Sequence, residues 1–301
     1  MLVRRLQRAS LALPAAALLI PFVLIVTIGG IWIATHGENL LEPGSGDTFV
    51  GLDNFKQGLS DPTLRASVGV TVVYVLAAVV AEAALGVAVA LLMWKHFWGK
   101  GIVRSLVLIP MVLTPVVAGL TWRLLMDPTA GTLNYLLGLV GLGSNHAFLA
   151  DPSTALAAVI AVDIWQNTPY VVIIVLAGLE SLPREPFEAA DLDGAQGWKR
   201  LRHVTLPLLG PVVSIVVLLR AIDAVKTFAL TQTKTKGGPG TSTLAISNYV
   251  YRVGFETFEI GYSSTLGLVT SAALVVLIFP FARRLLSGDR PTRKRLRGGP
   301  R

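Results

Sequence analysis

The chain has 301 residues, 53% of them hydrophobic and 15% charged, with a net charge of +8 and no cysteine; its mean hydropathy is +0.64. So little polar surface excludes a soluble globular domain, and the lack of cysteine excludes a disulfide framework, a thiolate metal site and a cysteine nucleophile. The positive charges flank apolar blocks instead of covering a soluble face, which points to membrane orientation and away from nucleic acid.

Six apolar segments follow one another, roughly Leu11 to Ala34, Ala66 to Trp94, Ile102 to Leu125, Thr154 to Leu179, Leu208 to Leu230 and Tyr262 to Phe281. Each is long enough to cross about 30 Å of hydrocarbon as a helix. The predicted fold is an all-α polytopic membrane protein with six transmembrane helices. The first block follows Arg4, Arg5 and Arg8 like a signal peptide, but it exceeds a usual h-region and no small-residue cleavage site closes it, so it is expected to stay as a span. The fifth is the weakest, because Arg220, Asp223 and Lys226 crowd its second half.

Loop charges set the expected orientation. Lys95, Lys100 and Arg104 lie between spans 2 and 3 without an acid. After span 6 come Arg283, Arg284, Arg290, Arg293, Lys294, Arg295, Arg297 and Arg301 against Asp289. The loop after span 1 instead holds Glu38, Glu42, Asp47, Asp53 and Asp61 against Lys56 and Arg65; the loop after span 3 holds Asp127 and Asp151. Basic loops face the cytoplasm, so both termini are expected inside. This divides the chain into a basic N-terminus (1–10), a membrane domain (11–284) with a cytoplasmic loop at 180–207, and a basic tail (285–301). The stretches Thr35–Arg65, Leu125–Ser153 and Thr231–Gly261 then lie outside.

The cytoplasmic loop is neither short nor filler. Pro183 and Pro186 punctuate the start of one short helix, Gly194 and Gly197 permit a sharp turn, and Trp198–Val204 reads as a second short helix before Pro207 marks entry into span 5. This unit is too small for its own core. It is either an interfacial amphipathic loop packed under the bundle or a knob that docks on a cytoplasmic partner and moves with spans 4 and 5.

E-A-A at 188–190, three residues, Gly194, nine residues and then V-T-L-P at 204–207 closely resemble the coupling-loop signature of permease subunits of binding-protein-dependent ABC importers. The form E-A-A-D-L-D-G-A followed by W-K-R-L-R-H-V-T-L-P-L-L is similar to the carbohydrate-uptake branch, of maltose, glycerol-phosphate, polyol and trehalose type. Val204 stands where that pattern usually has isoleucine. K-G-G-P-G at 236–240 with T-S-T-L-A-I-S-N-Y-V-Y after it, and W-Q-N-T-P-Y at 165–170, resemble stretches of the same permeases. The resemblance implies a type I importer transmembrane domain, the first permease of a heterodimeric pair. It implies a second homologous permease, two cytoplasmic ATP-binding subunits, an extracytoplasmic solute-binding protein and a sugar or polyol substrate as partners, all within membrane lipid. Glu188, Ala189, Ala190, Asp193, Gly194 and Pro207 would then couple to the ATPase, with Glu188 paired to a basic residue in its cleft.

No catalytic constellation appears. His36, His96, His146 and His203 are scattered, G-L-G-S at 141–144 has no lysine, and no G-x-x-x-x-G-K-[ST] is present. No cofactor is expected on this chain; ATP and Mg belong to the partner. Polar groups at membrane depth are the candidates for a substrate path: Asp163, Trp165, Gln166, Asn167 and Tyr170 around Pro169, with Trp165 and Asn167 foremost. Interhelical glue is the alternative. Arg220, Asp223 and Lys226 at i, i+3, i+6 are expected to form an internal ion network or gate, and Glu82 to pair across a subunit interface or beside a polar cavity. Gly237, Gly238, Pro239, Asn248, Tyr249 and Tyr251 are expected to line the outer cavity or meet the binding protein. The rivals are an importer for amino acids, peptides or metals, an ion-coupled secondary carrier, which usually shows internal repeats, and, more remotely, a membrane enzyme or an assembly factor.

Overall fold

The computed structural model describes residues 2–95, 97–142 and 145–287; of residues 2–12, 15, 281, 282 and 284–287 only the backbone is described. Arg4, Arg5 and Arg8 therefore have no described side chains, and His96, Gly143, Ser144 and the tail charges from Asp289 onward lie outside the described residues.

The long helices are α1 (Leu2–Ala34), α3 (Pro62–Trp94), α7 (Ala155–Glu180), α9 (Trp198–Val225) and α12 (Ile260–Ser287). Between them lie α2 (Asp53–Ser60), α4 (Lys100–Val112), α5 (Pro115–Leu125), α6 (Thr132–Leu139), α8 (Glu185–Leu192), α10 (Ala229–Lys234) and α11 (Ile246–Tyr251). Among the described residues the apolar helices long enough to span a bilayer number 5, or 6 if the bent pair α4–α5 counts as one.

That pair corrects the expected third span, because α4 and α5 meet at 96°. Thr114 precedes Pro115, and the proline ring keeps its predecessor out of helical geometry; Leu113 and Thr114 are both extended. Thr114 then caps α5, its hydroxyl accepting from Val117 N. The fifth span also differs. Its helix stops at Val225, Lys226 follows as its cap, and α10 starts afresh at Ala229. The expected second helix of the cytoplasmic loop is not separate either: Trp198–Arg200, the wider turns Leu201–Thr205 and Leu206–Val225 run on as one rod with Pro207 in it.

α3 and α7 form the spine. Gly86 of α3 sits against Val171 so closely that a Cβ there would lie 2.5 Å from Val171 Cγ1, the small-residue contact by which membrane helices approach. Ala90, Met93, Val172, Val175, Leu179 and, from α9, Leu209 and Val216 complete this core. α1 packs on α12, leaving most of its apolar surface outward, as suits a helix solvated by lipid or by another subunit.

At the N-terminal end of α3 Asp61 caps the helix and joins three elements. Its side chain accepts from Thr63 N at 2.8 Å, from Tyr262 Oη at 2.7 Å and from Tyr249 Oη. Burial pushes this carboxyl up, but the bonds from Tyr249, Tyr262 and the Thr63 and Leu64 amides outweigh it and hold it below the ordinary carboxylate range. Asn54 Nδ2 ties α2 to the Ala34 and His36 carbonyls at 2.9 and 3.1 Å. Asn134 of α6 likewise fixes the loop between α5 and α7, donating to Asp127 O and His146 O and accepting from His146 N.

Candidate functional site

Two places in the bundle depart from apolar packing. The first is internal. Arg220 of α9 donates through Nε and Nη2 to the two oxygens of Glu82 at 2.7 and 2.9 Å, through Nη2 to Asp163 at 3.2 Å and through Nη1 to Asp223 at 2.5 Å. Glu82, Asp163 and Arg220 are buried while Asp223 is 70% exposed. One guanidinium therefore binds α3, α7 and α9 together at the depth where charge is most costly unless paired. Glu82 pairs inside its own chain with Arg220. Lys226 does not join: it lies beyond the helix end and shares with Asp223 the wall of an adjoining cavity.

That cavity holds about 340 Å³ and is lined by Asn167, Tyr170, Leu219, Arg220, Ile222, Asp223 and Lys226. A smaller one of about 120 Å³ adjoins it, with Asp163, Gln166, Asn167 and Thr227 in its wall. Asn167 Nδ2 is held by Asp163 Oδ1 at 2.8 Å, and Gln166 Nε2 donates to Leu113 O at 2.9 Å, the carbonyl left free at the α4–α5 break. Trp165 turns the other way and stands edge-on to Trp122 of α5, centroids 5.4 Å apart, outside both cavity walls.

The second place is the loop after α7. Pro186 lies in the first turn of α8, Glu188 and Ala189 are exposed, and Ala190 is buried beneath them. Gly194 has φ +69, a conformation that only glycine adopts without strain, yet a Cβ there would meet nothing within 4 Å. Asp193 is exposed beside it and Pro207 is exposed on α9. The unit is anchored to the bundle by Trp94 against Phe187 at 5.7 Å, by Arg200 over the same ring, and by the Arg200–Asp191 ion pair at 3.0 Å.

The stretch from Gly237 to Tyr251 is tied into the bundle. Asn248 and Tyr249 point inward: Asn248 receives the Thr231 hydroxyl and donates to Gln232 at 3.0 Å, and Tyr249 donates to Asp61. Tyr251 stacks between Phe228 and Phe255. Gly237 is buried, and the Gly238 carbonyl before Pro239 accepts from the Thr243 hydroxyl at 2.8 Å. Among the described residues no His, Asp or Glu cluster has the form of a metal site.

Apolar helices closed around a buried ion network, with a polar cavity beside it and one water-facing loop anchored to two spans, define a polytopic membrane permease. The chain belongs to the family of binding-protein-dependent transport system inner membrane components, whose model matches residues 82–288. It is 37% identical over 292 residues to a probable ABC transporter permease protein of Sinorhizobium fredii, covering 95% of this chain and 94% of that one. It is 33% identical to the trehalose/maltose transport system permease protein of Thermococcus litoralis, covering 86% of each. To the trehalose transport system permease protein of Mycobacterium tuberculosis it is 32% identical, covering 91% and 87%. A solved bacterial alginate ABC transporter shares the fold, with a TM-score of 0.78 at 19% identity over 94% of this chain and 96% of that one. This chain is thus a multi-pass inner-membrane permease subunit of an ABC importer. Transport by a component of this family depends on a binding protein.

Proposed function

We propose that the chain is one half of a heterodimeric pore that passes a sugar or polyol, driven by two ATPase subunits that grip the loop at 180–207. The observation that carries this reading is the loop itself. Glu188 is exposed on a short helix, Gly194 has a conformation that wants glycine and open space in place of a Cβ, and the whole unit is tied to α3 and α9. A surface so shaped suits a cleft that presses on Gly194 and pairs Glu188 with a base. Ala189, Ala190, Asp193 and Pro207 complete the contact. Both termini and the 180–207 loop face the cytoplasm, with 11–284 as the membrane domain between the basic ends, in keeping with the loop charges.

The substrate reading rests on relatives described as trehalose and maltose permeases and on the larger cavity. Asn167 and Tyr170 offer amide and hydroxyl groups, and Asp223 leaves an oxygen open to the cavity. Glu82, Asp163 and Asp223 together outnumber Arg220 and Lys226, so the wall has no surplus positive charge. That suits an uncharged polyhydroxylated solute. Asp163 and Gln166 hold this wall from behind, and Trp165 supports it through α5. The Arg220 network is the scaffold against which the path opens. Gly237, Gly238, Pro239, Asn248 and Tyr249 shape the outer loop from within.

The test is uptake of labelled solutes by cells with and without the chain. A panel of neutral disaccharides and polyols is run beside anionic sugars. Loss of a neutral sugar or polyol, restored by the gene, supports the reading; selective loss of an amino acid, peptide or metal ion overturns it.

A further inference from the structure

Glu82 and Asp163 are the buried carboxylates among the described residues, and Arg220 and Lys234 are the buried cations. Arg220 is fully engaged. Lys234, 4% exposed at the end of α10, has no hydrogen-bond partner for Nζ among the described residues. Its helix α10 packs against α7, the helix that carries Asp163. An ammonium taken out of water with no partner is costly, whereas the set of two carboxylates and two cations is electrically balanced. The charge balance is thus complete while the pairing is not.

The helix that carries Lys234 is set off by a break at each end, with Thr231 and Gln232 tied to Asn248 of α11. Six residues long, α10 follows the break at Lys226–Phe228 and ends at Lys236 and Gly237, which have φ of 51 and 86. Its long contact is with α5, where Gly119 admits Thr233 so closely that a Cβ at 119 would lie 2.0 Å from Thr233 Oγ1. α5 is the half-helix beyond the 96° break, and the break carbonyl of Leu113 is held by Gln166, one turn along α7 from Asp163. On the other side, the Arg220–Asp163 contact of 3.2 Å is the longest of the guanidinium's bonds, and Arg220 retains Glu82 and Asp223 if Asp163 leaves.

We infer that Lys234 is the alternate counter-ion of Asp163: in the transport cycle α5 and α10 move as one body against α7, and Asp163 passes from Arg220 to Lys234. In the conformation seen here Asp163 is held by Arg220 and Lys234 waits. In the other, the ion pair is carried by Lys234, so the outer half-helices have two discrete positions with a cation for Asp163 in each. Lys234 is a positioning residue; it stands outside the cavity wall. The inference rests on the permease reading in that it needs a protein with two conformations.

The test uses the assembled transporter with Lys234→Met, Lys234→Arg, Asp163→Asn and the double variant. Lys234→Met leaves Asp163 without a cation in the second conformation, and Asp163→Asn leaves Lys234 without its counter-ion, so each neutral single variant should lower transport by about tenfold or more, and the double variant should recover most of it. Lys234→Arg should keep most activity. The second readout exploits the cysteine-free chain: Lys236→Cys, just beyond α10, is labelled with a membrane-impermeant maleimide with and without trapped nucleotide. The wild-type background and Lys234→Arg should show a nucleotide-dependent change in labelling rate; Lys234→Met should not. Additive losses in the double variant, or an unchanged labelling response in Lys234→Met, would overturn the exchange. Should Lys234→Met fail to assemble, rescue of assembly by Asp163→Asn supports the pairing and absence of rescue refutes it. Failure of the wild-type complex to import a sugar would count against the substrate reading and leave the labelling result intact.

Discussion

Replacing Arg220 by methionine removes one side chain and strands two buried carboxylates. Its bond to Asp223 contributes little, because that carboxylate is 70% exposed and an ion pair in water is worth about 0–1 kcal/mol. The bonds to Glu82 and Asp163 are different: all three groups are buried, and Glu82 is gripped at 2.7 and 2.9 Å. Breaking a buried pair by deleting one partner costs about 3–5 kcal/mol, mostly as the charge left behind. Arg220→Met should therefore lose about 3–5 kcal/mol, enough to reduce the folded subunit in membranes by well over the several-fold change expected for about 1–2 kcal/mol. Neutralising both partners, Glu82→Gln with Arg220→Met, should recover part of the loss, because one stranded charge is gone. The assay is abundance in membranes together with thermal melting of the detergent-extracted complex. Arg220→Met at wild-type abundance and melting temperature would refute the claim that this guanidinium holds α3, α7 and α9 together.

Gly86→Val drives a branched side chain into Val171, where the first added carbon already lies 2.5 Å from Cγ1; a loss of about 1–3 kcal/mol is expected, partly relieved by Val171→Ala, and abundance measures both. Asp61→Ala removes the cap of α3 and the acceptor for Tyr249 and Tyr262, costing about 0.5–2 kcal/mol for the cap alone, read by melting. The folded carboxyl titrates below its unfolded value, so the stability it contributes is full above the usual carboxylate pKa and is lost as pH falls through the depressed folded value. Acid should thus narrow the melting difference between wild type and Asp61→Ala; a difference constant through that window would show that the charge of Asp61 does not matter. Ala195→Cys, in a chain with no other cysteine, should react with impermeant maleimide from the cytoplasmic side only; labelling from outside would reverse the topology.

Much of this fold is written in single-residue chemistry. Apolar block lengths locate α3 and α7 to within a few residues, since lipid sets the length a span needs. Gly194 and Gly197 announce their turn because few residues tolerate their φ of 69 and 56. The break in the third apolar block was also present, in Thr114 before Pro115, but an uninterrupted run of apolar side chains masked it. What the chain could not disclose is pairing at a distance. Glu82 and Arg220 are separated by 138 positions, and nothing local distinguishes a carboxylate facing its own bundle from one facing a neighbour. Trp165 and Asn167 lie two apart on α7, so their side chains diverge by about 200°; composition grouped them and helix geometry separates them. Asn248 and Tyr249 read as outer-loop polar groups, yet they satisfy Thr231 and Asp61. Lys234 passed unnoticed, since a lysine two residues before Lys236 in a polar stretch looks solvated until α5 is packed against its helix.

The central claim is that force enters this chain through the loop at 180–207. The direct measurement is the ratio of solute imported to ATP hydrolysed by the reconstituted transporter carrying Glu188→Ala or Gly194→Val. Neither side chain supports the fold of this chain, since Glu188 is exposed and the space over Gly194 is open; the strain that valine meets at φ +69 is confined to the loop. The account predicts normal assembly of the membrane subunit with import lost, and hydrolysis either abolished or no longer stimulated by the loaded binding protein. Import and stimulated hydrolysis at wild-type ratio in both variants would contradict it.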